Sequence, residues 1–373
     1  MSYLFLQYYW WAVGSLLCGL LVFLMFVQGG QTLIYTLAKD DDSRSILINA
    51  LGRKWEFTFT TLVVFGGTMF AAFPLFYSAS FGGGYWLWMI FLFCFIIQAV
   101  SYEFRMKAGN IYGHKTFEWF LMINGTLGPF LAGVIVATFY SGAAFSLSQY
   151  HTVIWHTSLR GLEALIQPFN LVLGVTVLLL SRTLALLYFA NNIRNDKISA
   201  EIKKHLWING LLFVIFFLLF IAWLMFRDGY IVDINTAGIS MVPYKYFWNL
   251  IQLPAVLIIF LSGVILVLTG IILTLFFDSI QGIWYSGTGT VLAVCALVLI
   301  AGWMNTPFYP STSDMQSSLT IFNASSSHYT LKTMFYVSLF IPVVFAYIFY
   351  AWRAINNKPI DSDELKTKDI HKY

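Results

Sequence analysis

The sequence predicts an all-α integral membrane protein with about nine transmembrane helices in a bundle, and three observations support this fold class. Of 373 residues, 59% are hydrophobic and 10% are charged, whereas about a quarter of residues are charged in soluble proteins. The mean hydropathy is +0.75. The apolar residues form runs of roughly 20, the length that a helix needs to cross a bilayer. This composition excludes a disordered chain, a nucleic-acid-binding protein and a soluble enzyme.

The apolar runs predict nine spans, at residues 8–37, 56–80, 84–104, 118–140, 164–190, 207–226, 249–276, 283–304 and 331–352. Only Phe81, Gly82 and Gly83 separate the second span from the third, which predicts a tight turn. The runs are too long and too uniformly apolar for the alternating strands of a membrane barrel. We expect one polytopic domain over residues 1–355, built as two four-helix bundles plus one helix, and a charged cytoplasmic tail over residues 356–373.

Charged loops separate the runs, and their positive charges fall unevenly on the two sides. Sixteen Lys and Arg residues lie in the loops after the first, third and fifth spans and in the tail, and the other side has four: Arg160, Arg227, Lys245 and Lys332. Because cytoplasmic loops retain positive charge, we predict that the N-terminus lies outside and the C-terminus in the cytoplasm. The N-terminal segment has no basic n-region, which indicates a retained span rather than a cleaved signal peptide.

Ionisable residues at membrane depth are candidates for function, because they are costly to place there. Glu103, Glu118 and Asp278 lie near predicted span ends, and we interpret them as charges at the level of the headgroups. Glu56 opens the second span beside Trp55. It is partly a structural cap, and its place at the predicted cytoplasmic mouth also suits the entry of protons.

Arg182 lies about two and a half turns inside the fifth span, which is too deep for an ordinary interfacial anchor. A buried guanidinium needs an anionic partner. The sequence leaves three partners open: a buried acid, a phosphate headgroup or a cofactor carboxylate.

Haem requires axial His, Met or Cys ligands inside a helical bundle. The six histidines lie in loops or near predicted span ends, namely His114, His151, His156, His205, His328 and His371. Buried methionines and cysteines in apolar runs are interpreted as core packing, among them Met25, Met69, Met122, Cys18, Cys94 and Cys295. The chain has no Walker motif, no HExxH and no zinc-type cysteine spacing. We therefore expect no metal ligand and no catalytic residue in this chain.

Motifs in the second and third spans and near the C-terminus follow a characteristic order. Gly66, Gly67, Phe70 and Pro74 form the pattern GGxxFAAxP after the pair Trp55-Glu56, and Glu103, Arg105 and Lys107 form acid-x-R-x-K. The run from Pro307 to Leu331 contains P-S, S-L-T and A-S-S elements followed by T-L. In these motifs, and over nearly its whole length, the chain resembles subunit II of the cytochrome bd quinol oxidases.

The resemblance implies an integral subunit of a terminal oxidase in the bacterial cytoplasmic (inner) membrane. In that family the complex oxidises quinol, reduces oxygen to water and generates a membrane potential without pumping protons. Subunit I carries two haems b, one haem d and the quinol site, and subunit II is its haem-free partner. In some members subunit II contributes an oxygen route, a cytoplasmic proton path or a bound quinone. Expected partners are therefore subunit I, quinol and oxygen as substrates of the complex, and membrane lipids, with a small single-helix third subunit left open.

Carried over residue by residue, the resemblance makes Glu56 the first candidate for a proton path. The first span has Gln28 and Gln31 where many members carry acids, and Gln98 stands where many have Arg. Glutamine can hold a water chain but cannot itself exchange a proton. Six further motif residues are expected to be structural: Trp55, Gly66, Gly67, Pro74, Glu103 and Arg105.

Two alternatives to an oxidase subunit with a proton path remain at this stage. Arg182, the Gln28 and Gln31 pair and the Gly-rich second span are compatible with a polytopic secondary transporter, although no inverted repeat is visible. A purely structural subunit, whose polar residues only hold helices together, is the other hypothesis.

Overall fold

The computed structural model describes residues 1–107, 109–193, 196–233, 236 and 238–355, and helices dominate this part of the chain. The predicted tail at 356–373 lies outside the described residues. The α-helices are α1 (Tyr3–Leu24), α2 (Phe26–Gln31), α3 (Ile34–Leu37), α4 (Asp41–Gly52), α5 (Trp55–Ala72), α6 (Pro74–Phe76), α7 (Tyr85–Phe104), α8 (His114–Ser141), α9 (Pro168–Asn192), α10 (Asp196–Met225), α11 (Lys245–Gln252), α12 (Pro254–Phe276), α13 (Gly282–Gly302), α14 (His328–Ser338) and α15 (Ile341–Ile355).

Two short antiparallel hairpins lie in loops of the predicted outer side. Strand β1 (Phe145–Leu147) pairs with β2 (Val153–Trp155), and β3 (Gly229–Val232) pairs with β4 (Ile239–Val242). A π-helical segment (Tyr77–Gly83) follows α6, and 3-10 turns cover Leu162–Leu165 and Met315–Ser317. The sequence did not predict these hairpins, because each strand has only three or four residues.

The number of helices that could span a membrane agrees with the prediction of about nine. By length and composition, eight helical segments within the described residues qualify, and a ninth is formed if the bent pair Asp41–Ala72 and Pro74–Gly83 counts as one span. This pair bends by 114°. The bend lies at Phe73, where Pro74 cannot donate the next backbone hydrogen bond of a continuing helix.

Besides the span with this bend, three further predicted spans are divided where the sequence indicated continuous helices. The run at 249–276 is α11 and α12, with a break at Leu253 before Pro254. The run at 331–352 is α14 and α15, which are separated ahead of Pro342. In the run at 8–37, the long helical part ends at Gln31, and α3 follows after a turn. Hydropathy averaged over a window does not register a single proline or turn inside an apolar run.

Helix α4 lies in a segment that the sequence analysis treated as a charged loop. The side chain of Asp40 caps its N-terminus by accepting a hydrogen bond from the Ser43 amide at 2.8 Å. Its apolar residues Ile46 and Leu47 are fully buried. Tyr188 of α9 donates to the backbone oxygen of Ala50 at 2.9 Å. Helix α4 therefore closes the predicted cytoplasmic end of the bundle.

The loop after α13 closes the opposite end. Phe308 is fully buried, with its ring centroid 4.5 Å from that of Trp11 and 5.6 Å from that of Phe73. Tyr309 forms an isolated antiparallel bridge with Leu319. This packing explains why the Pro307 to Leu331 run, although outside the predicted spans, contains so few exposed apolar residues.

Lys245 begins α11 outside the candidate spans and is almost completely buried. Its Nζ donates to the backbone oxygen of Met304 at 2.8 Å. Burial lowers the pKa of Lys245 to about 8, because desolvation penalises the charged ammonium. In the unfolded chain the pKa of lysine is about 10.4.

We predict that the Lys245→Met variant flattens the dependence of stability on pH above about pH 8. Between the two pKa values the native protein releases the Lys245 proton while the unfolded chain retains it. Stability of the wild type therefore rises as pH increases through this window, whereas Met at this position removes the contribution. Thermal unfolding of the purified complex at about pH 7 and about pH 9.5 measures the effect. The exposed Lys115→Met variant is the control, and equal pH slopes for wild type and Lys245→Met would refute the prediction.

Candidate functional site

A cluster of buried amide side chains lies where α2, α7 and α8 meet. Gln98 Oε1 accepts hydrogen bonds from Gln28 Nε2 at 2.7 Å, from Gln31 Nε2 at 3.1 Å and from Asn124 Nδ2. Asn124 Nδ2 also donates to Gln31 Oε1 at 2.8 Å, and Gln31 Nε2 donates to the Tyr102 hydroxyl at 3.1 Å. All four amide side chains are fully buried. We call Gln28, Gln31, Gln98, Asn124 and Tyr102 the amide cluster.

Glycines allow α2 to reach this position between α8 and α9. A Cβ atom on Gly29 would overlap the backbone oxygen of Ser181 in α9. A Cβ atom on Gly125 of α8 would lie 2.5 Å from the backbone oxygen of Gln28. Small residues at helix contacts in membranes permit such close approach. The Gln-Gly-Gly-Gln sequence of α2 thus combines two hydrogen-bonding side chains with a backbone that fits a narrow space.

An ionic cluster lies next to the amide cluster on the predicted cytoplasmic side. Glu118 Oε1 accepts from Arg105 Nη2 at 2.8 Å and from Arg105 Nε at 3.1 Å. The other carboxylate oxygen accepts from the Tyr35 hydroxyl at 2.7 Å and lies 3.6 Å from Arg44 Nε. Glu118 is 3% exposed and Arg105 is 2% exposed. Gln98, Tyr102 and Arg105 follow an i, i+4, i+7 spacing along α7, which places the two clusters on one face of that helix.

Glu118 lies near the start of α8, as predicted, but it is buried within the protein, which its interpretation as a headgroup-level charge did not include. Helix α8 begins at His114, about one turn earlier than predicted, and Tyr35, Arg44 and Arg105 surround the Glu118 carboxylate. Asp278, by contrast, is exposed beyond α12 and pairs with Lys203. Glu103 is also exposed, near the end of α7, in keeping with its interpretation.

The Trp55-Glu56 pair divides between the interior and the surface. The Trp55 ring is stacked on the ring of Tyr102, with centroids 5.9 Å apart and an interplanar angle of 18°. The adjacent Glu56 side chain is exposed at the start of α5. Trp55 therefore contacts the amide cluster, whereas Glu56 points away from it.

The glycine motif of α5 lies mainly on the outside of the chain. Gly67 is exposed, and a Cβ atom placed there would meet nothing within 4 Å. Gly66 is half-buried, and a Cβ atom placed there would lie 3.6 Å from the Phe81 ring. Phe70 is 58% exposed. The bend within this chain explains the presence of Pro74. No packing within this chain explains the presence of Gly67 or Phe70 on an exposed face.

Arg182 of α9 has neutral partners in the described structure. Its Nε donates to Asn209 Oδ1 of α10 at 2.7 Å, and its Nη1 donates to the Thr32 hydroxyl at 2.7 Å. Among the described residues no carboxylate pairs with it. Of the three partners that the sequence left open, a buried acid is therefore not found within the described residues.

The histidines do not fit a haem site inside the described part of this chain. His114, His151, His156 and His328 are exposed, and His205 is half-buried near the start of a span. A search of the described residues finds no group of three or more His, Cys, Asp or Glu side chains that could hold a metal ion. Within residues 1–355 as far as they are described, no histidine is fully buried, and His371 lies outside the described residues.

Comparison with known families identifies the chain. A family model described as cytochrome bd terminal oxidase subunit II matches residues 6–355. The chain belongs to this family. It is thus a subunit of a cytochrome bd quinol oxidase, an oxidoreductase complex that carries haems, and it forms a complex with a subunit I partner. Family membership supports the oxidase hypothesis and not the transporter.

Curated relatives extend over most of the chain. Cytochrome bd-I ubiquinol oxidase subunit 2 of Escherichia coli (strain K12) is 25% identical over 391 aligned positions, which cover 99% of this chain and 100% of the relative. Cytochrome bd ubiquinol oxidase subunit 2 of Bacillus subtilis (strain 168) is 26% identical and covers 80% of each chain. A chain in the structure of bd oxidase from Geobacillus thermodenitrificans matches with a TM-score of 0.55 at 11% identity, over 95% of this chain and 97% of that chain. This last match shows a shared fold.

We predict that Glu118→Gln destabilises the chain by about 3 kcal/mol or more, because the buried charges of Arg44 and Arg105 lose their shared carboxylate. Glu103→Gln removes an exposed carboxylate near the end of the neighbouring helix and serves as the matched control, with an expected change within about 0.5 kcal/mol. The yield of assembled complex and its thermal unfolding midpoint measure both variants. Equal midpoints for the two would show that the ionic cluster contributes little.

Proposed function

We propose that this chain is the haem-free subunit of a bacterial inner-membrane quinol oxidase and that it acts mainly by assembling with a haem-bearing subunit I. The haems and the quinol site would then lie on the partner, and the complex would transfer electrons from quinol to oxygen. The exposed or half-buried positions of the described histidines support this division. In this proposal the N-terminus lies outside, in agreement with the uneven distribution of Lys and Arg.

The outer face of α5 carries the proposal, because its residues suit a protein partner better than lipid. Gly67 and Glu56 are exposed there together with Val63 and Phe70. Small and polar residues favour contact between helices in a membrane, where apolar side chains gain nothing over lipid. The outward face of α10 between residues 207 and 219 is different, since its exposed residues are uniformly large and apolar, among them Ile208, Leu211, Ile215 and Leu218. We infer that α5 meets subunit I and that α10 meets lipid.

The two groups of predicted proton-path residues have different roles in this proposal. Glu56 lies on the proposed contact face, where its carboxylate is able to exchange protons between the cytoplasm and subunit I. Gln28 and Gln31 donate to neutral acceptors inside the amide cluster and hold α2 against α7 and α8. Amides do not release protons at ordinary pH, so their contribution is structural.

We predict that Gly67→Leu lowers the amount of haem that is recovered with an affinity tag on this chain. A Cβ atom at position 67 meets no atom of its own chain within 4 Å, so the first added atom enters open space beside α5 and a loss of assembly is expected to arise at the partner surface. Leu218→Phe on α10 adds bulk on the proposed lipid face and is the control. The ratio of haem to tagged chain measures assembly, and native mass spectrometry of the same sample shows whether a small third subunit is bound. An unchanged ratio for Gly67→Leu would place the contact elsewhere.

We predict that Glu56→Gln slows turnover without affecting assembly and that Gln28→Ala lowers assembly without affecting turnover. Glu56→Gln is expected to leave assembly intact and to slow quinol oxidation per haem by about a hundredfold, the lower end of the usual range for a positioned proton-transfer group. Gln28→Ala is expected to lower the yield of complex while turnover per haem remains unchanged, because a donor to Gln98 is lost. Oxygen consumption normalised to haem separates the two effects. Unchanged turnover in an assembled Glu56→Gln complex would favour a purely structural subunit.

A further inference from the structure

A cavity of about 210 Å³ lies at the predicted outer end of the chain, between α7, α8 and the β1–β2 hairpin. Its walls come from the start of α7, the end of α8, strand β2, the loop before α9 and the loop after α13. Most of these lining residues lie outside the candidate spans. The cavity is therefore at the predicted outer boundary of the membrane, and the proposed function of the chain does not involve it.

Among the described residues that line this cavity, Glu163 is the one charged side chain. Its Oε1 accepts a hydrogen bond from the Thr157 hydroxyl at 2.6 Å, and its Oε2 accepts from the Gly161 amide at 2.9 Å. Both donors also line the cavity, so the carboxylate lies at its wall. No Lys, Arg or His within the described residues forms an ion pair with Glu163. The cavity therefore has a fixed negative charge that no described cation neutralises.

Two tryptophan side chains in the walls are held in place through their indole nitrogens. Trp155 Nε1 donates to the backbone oxygen of Ala79 at 3.0 Å, and Trp88 Nε1 donates to the Ser80 hydroxyl at 3.1 Å. Both side chains are buried. An indole has a single N–H donor and no acceptor. Because both donors are engaged within the protein, the two indoles offer only carbon surface to a molecule in the cavity.

A third aromatic residue of the lining, Tyr309, lies within the electrostatic influence of Glu163. Burial raises the pKa of the Tyr309 phenol, a hydrogen bond with Ser80 lowers it, and the negative charge of Glu163 raises it again, with a net upward shift. The phenol is therefore neutral at physiological pH. The side chains of Gln167 and Thr312 form no hydrogen bond within the described residues. Neutral polar groups are thus available beside the single negative charge.

We propose that this cavity binds the ammonium group of a small organic cation, with Glu163 as its counter-ion and with Trp88 and Trp155 against its carbon atoms. A half-buried carboxylate without a cation is costly, and aromatic walls suit the methyl and methylene groups around an ammonium nitrogen. Glu163 would repel an anion. A metal ion fits less well, because no group of three or more His, Cys, Asp or Glu side chains within the described residues could hold one. Ammonium groups reach the outer membrane boundary as free amines or as lipid headgroups.

Binding of isotopically labelled choline to the assembled complex tests the proposal, after exchange into nanodiscs of phosphatidylglycerol alone. We expect saturable binding that unlabelled choline displaces. Sodium chloride, and the uncharged isostere of choline with carbon in place of nitrogen, are expected not to displace it at the same concentration. Glu163→Gln is expected to weaken choline binding by about tenfold or more, because a charge-assisted contact is lost. Asp228→Asn removes an exposed carboxylate of the predicted outer side that does not line the cavity, and it is the matched control.

A second variant keeps Glu163 and fills the cavity, so that the proposal stays testable if Glu163→Gln fails to assemble. Ala144 lines the cavity, and Ala144→Leu is expected to weaken choline binding without removing any charge. Phosphatidylethanolamine in the nanodiscs separates the two sources, because a site for lipid headgroups then loses choline whereas a site for free amines retains it. Three results would overturn the proposal: no saturable binding of choline, equal displacement by the uncharged isostere or by sodium, or unchanged affinity in Glu163→Gln or Ala144→Leu.

Discussion

The fit of α2 between α8 and α9 is the contact on which the interior of this subunit depends. It requires Gly29 and Gly125, because a methyl group at either position would overlap the backbone of the neighbouring helix. The short distances that result bring Gln28 and Gln31 within reach of Gln98 and Asn124. Without this approach, the buried amides of Gln28 and Gln31 would lose their partners on α7 and α8, at a cost of several kcal/mol for each unpaired amide.

The interior also separates neutral from charged polar groups. The amide cluster joins three helices through neutral hydrogen bonds, whereas the ionic charges are collected about two turns away around Glu118, near the predicted cytoplasmic end. The resemblance to the family places acids and an arginine at positions that Gln28, Gln31 and Gln98 occupy here. The structure shows Gln28 and Gln98 in direct contact, so neutral side chains that pair with each other occupy these two positions.

The sequence predicted the features that depend on composition and missed those that depend on tertiary contacts. The spans follow from hydropathy, and the number of candidate spans agrees with the prediction. Pro254 and Pro342 carried a local signal for helix breaks, but long apolar runs obscured it. Asp40 followed by Ser43 was a visible start signal for α4.

Long-range pairs within the site were beyond the reach of local patterns. Gln28 and Gln98 are separated by 70 residues, and no periodicity links them. The regular spacing of Gln98, Tyr102 and Arg105 along α7 was the one available signal that these side chains share a face. The burial of Glu118 was not predicted because it depends on Tyr35, Arg44 and Arg105, which come from other segments of the chain.

The central claim is that this chain contributes an assembly surface rather than a haem site. Its most direct test is a dithionite-reduced minus oxidised spectrum of the tagged chain, purified with and without co-expressed subunit I. The account predicts haem b and haem d bands in the co-expressed sample and no haem in the chain expressed alone. Haem bound to the isolated chain, or a native complex without haem, would contradict it.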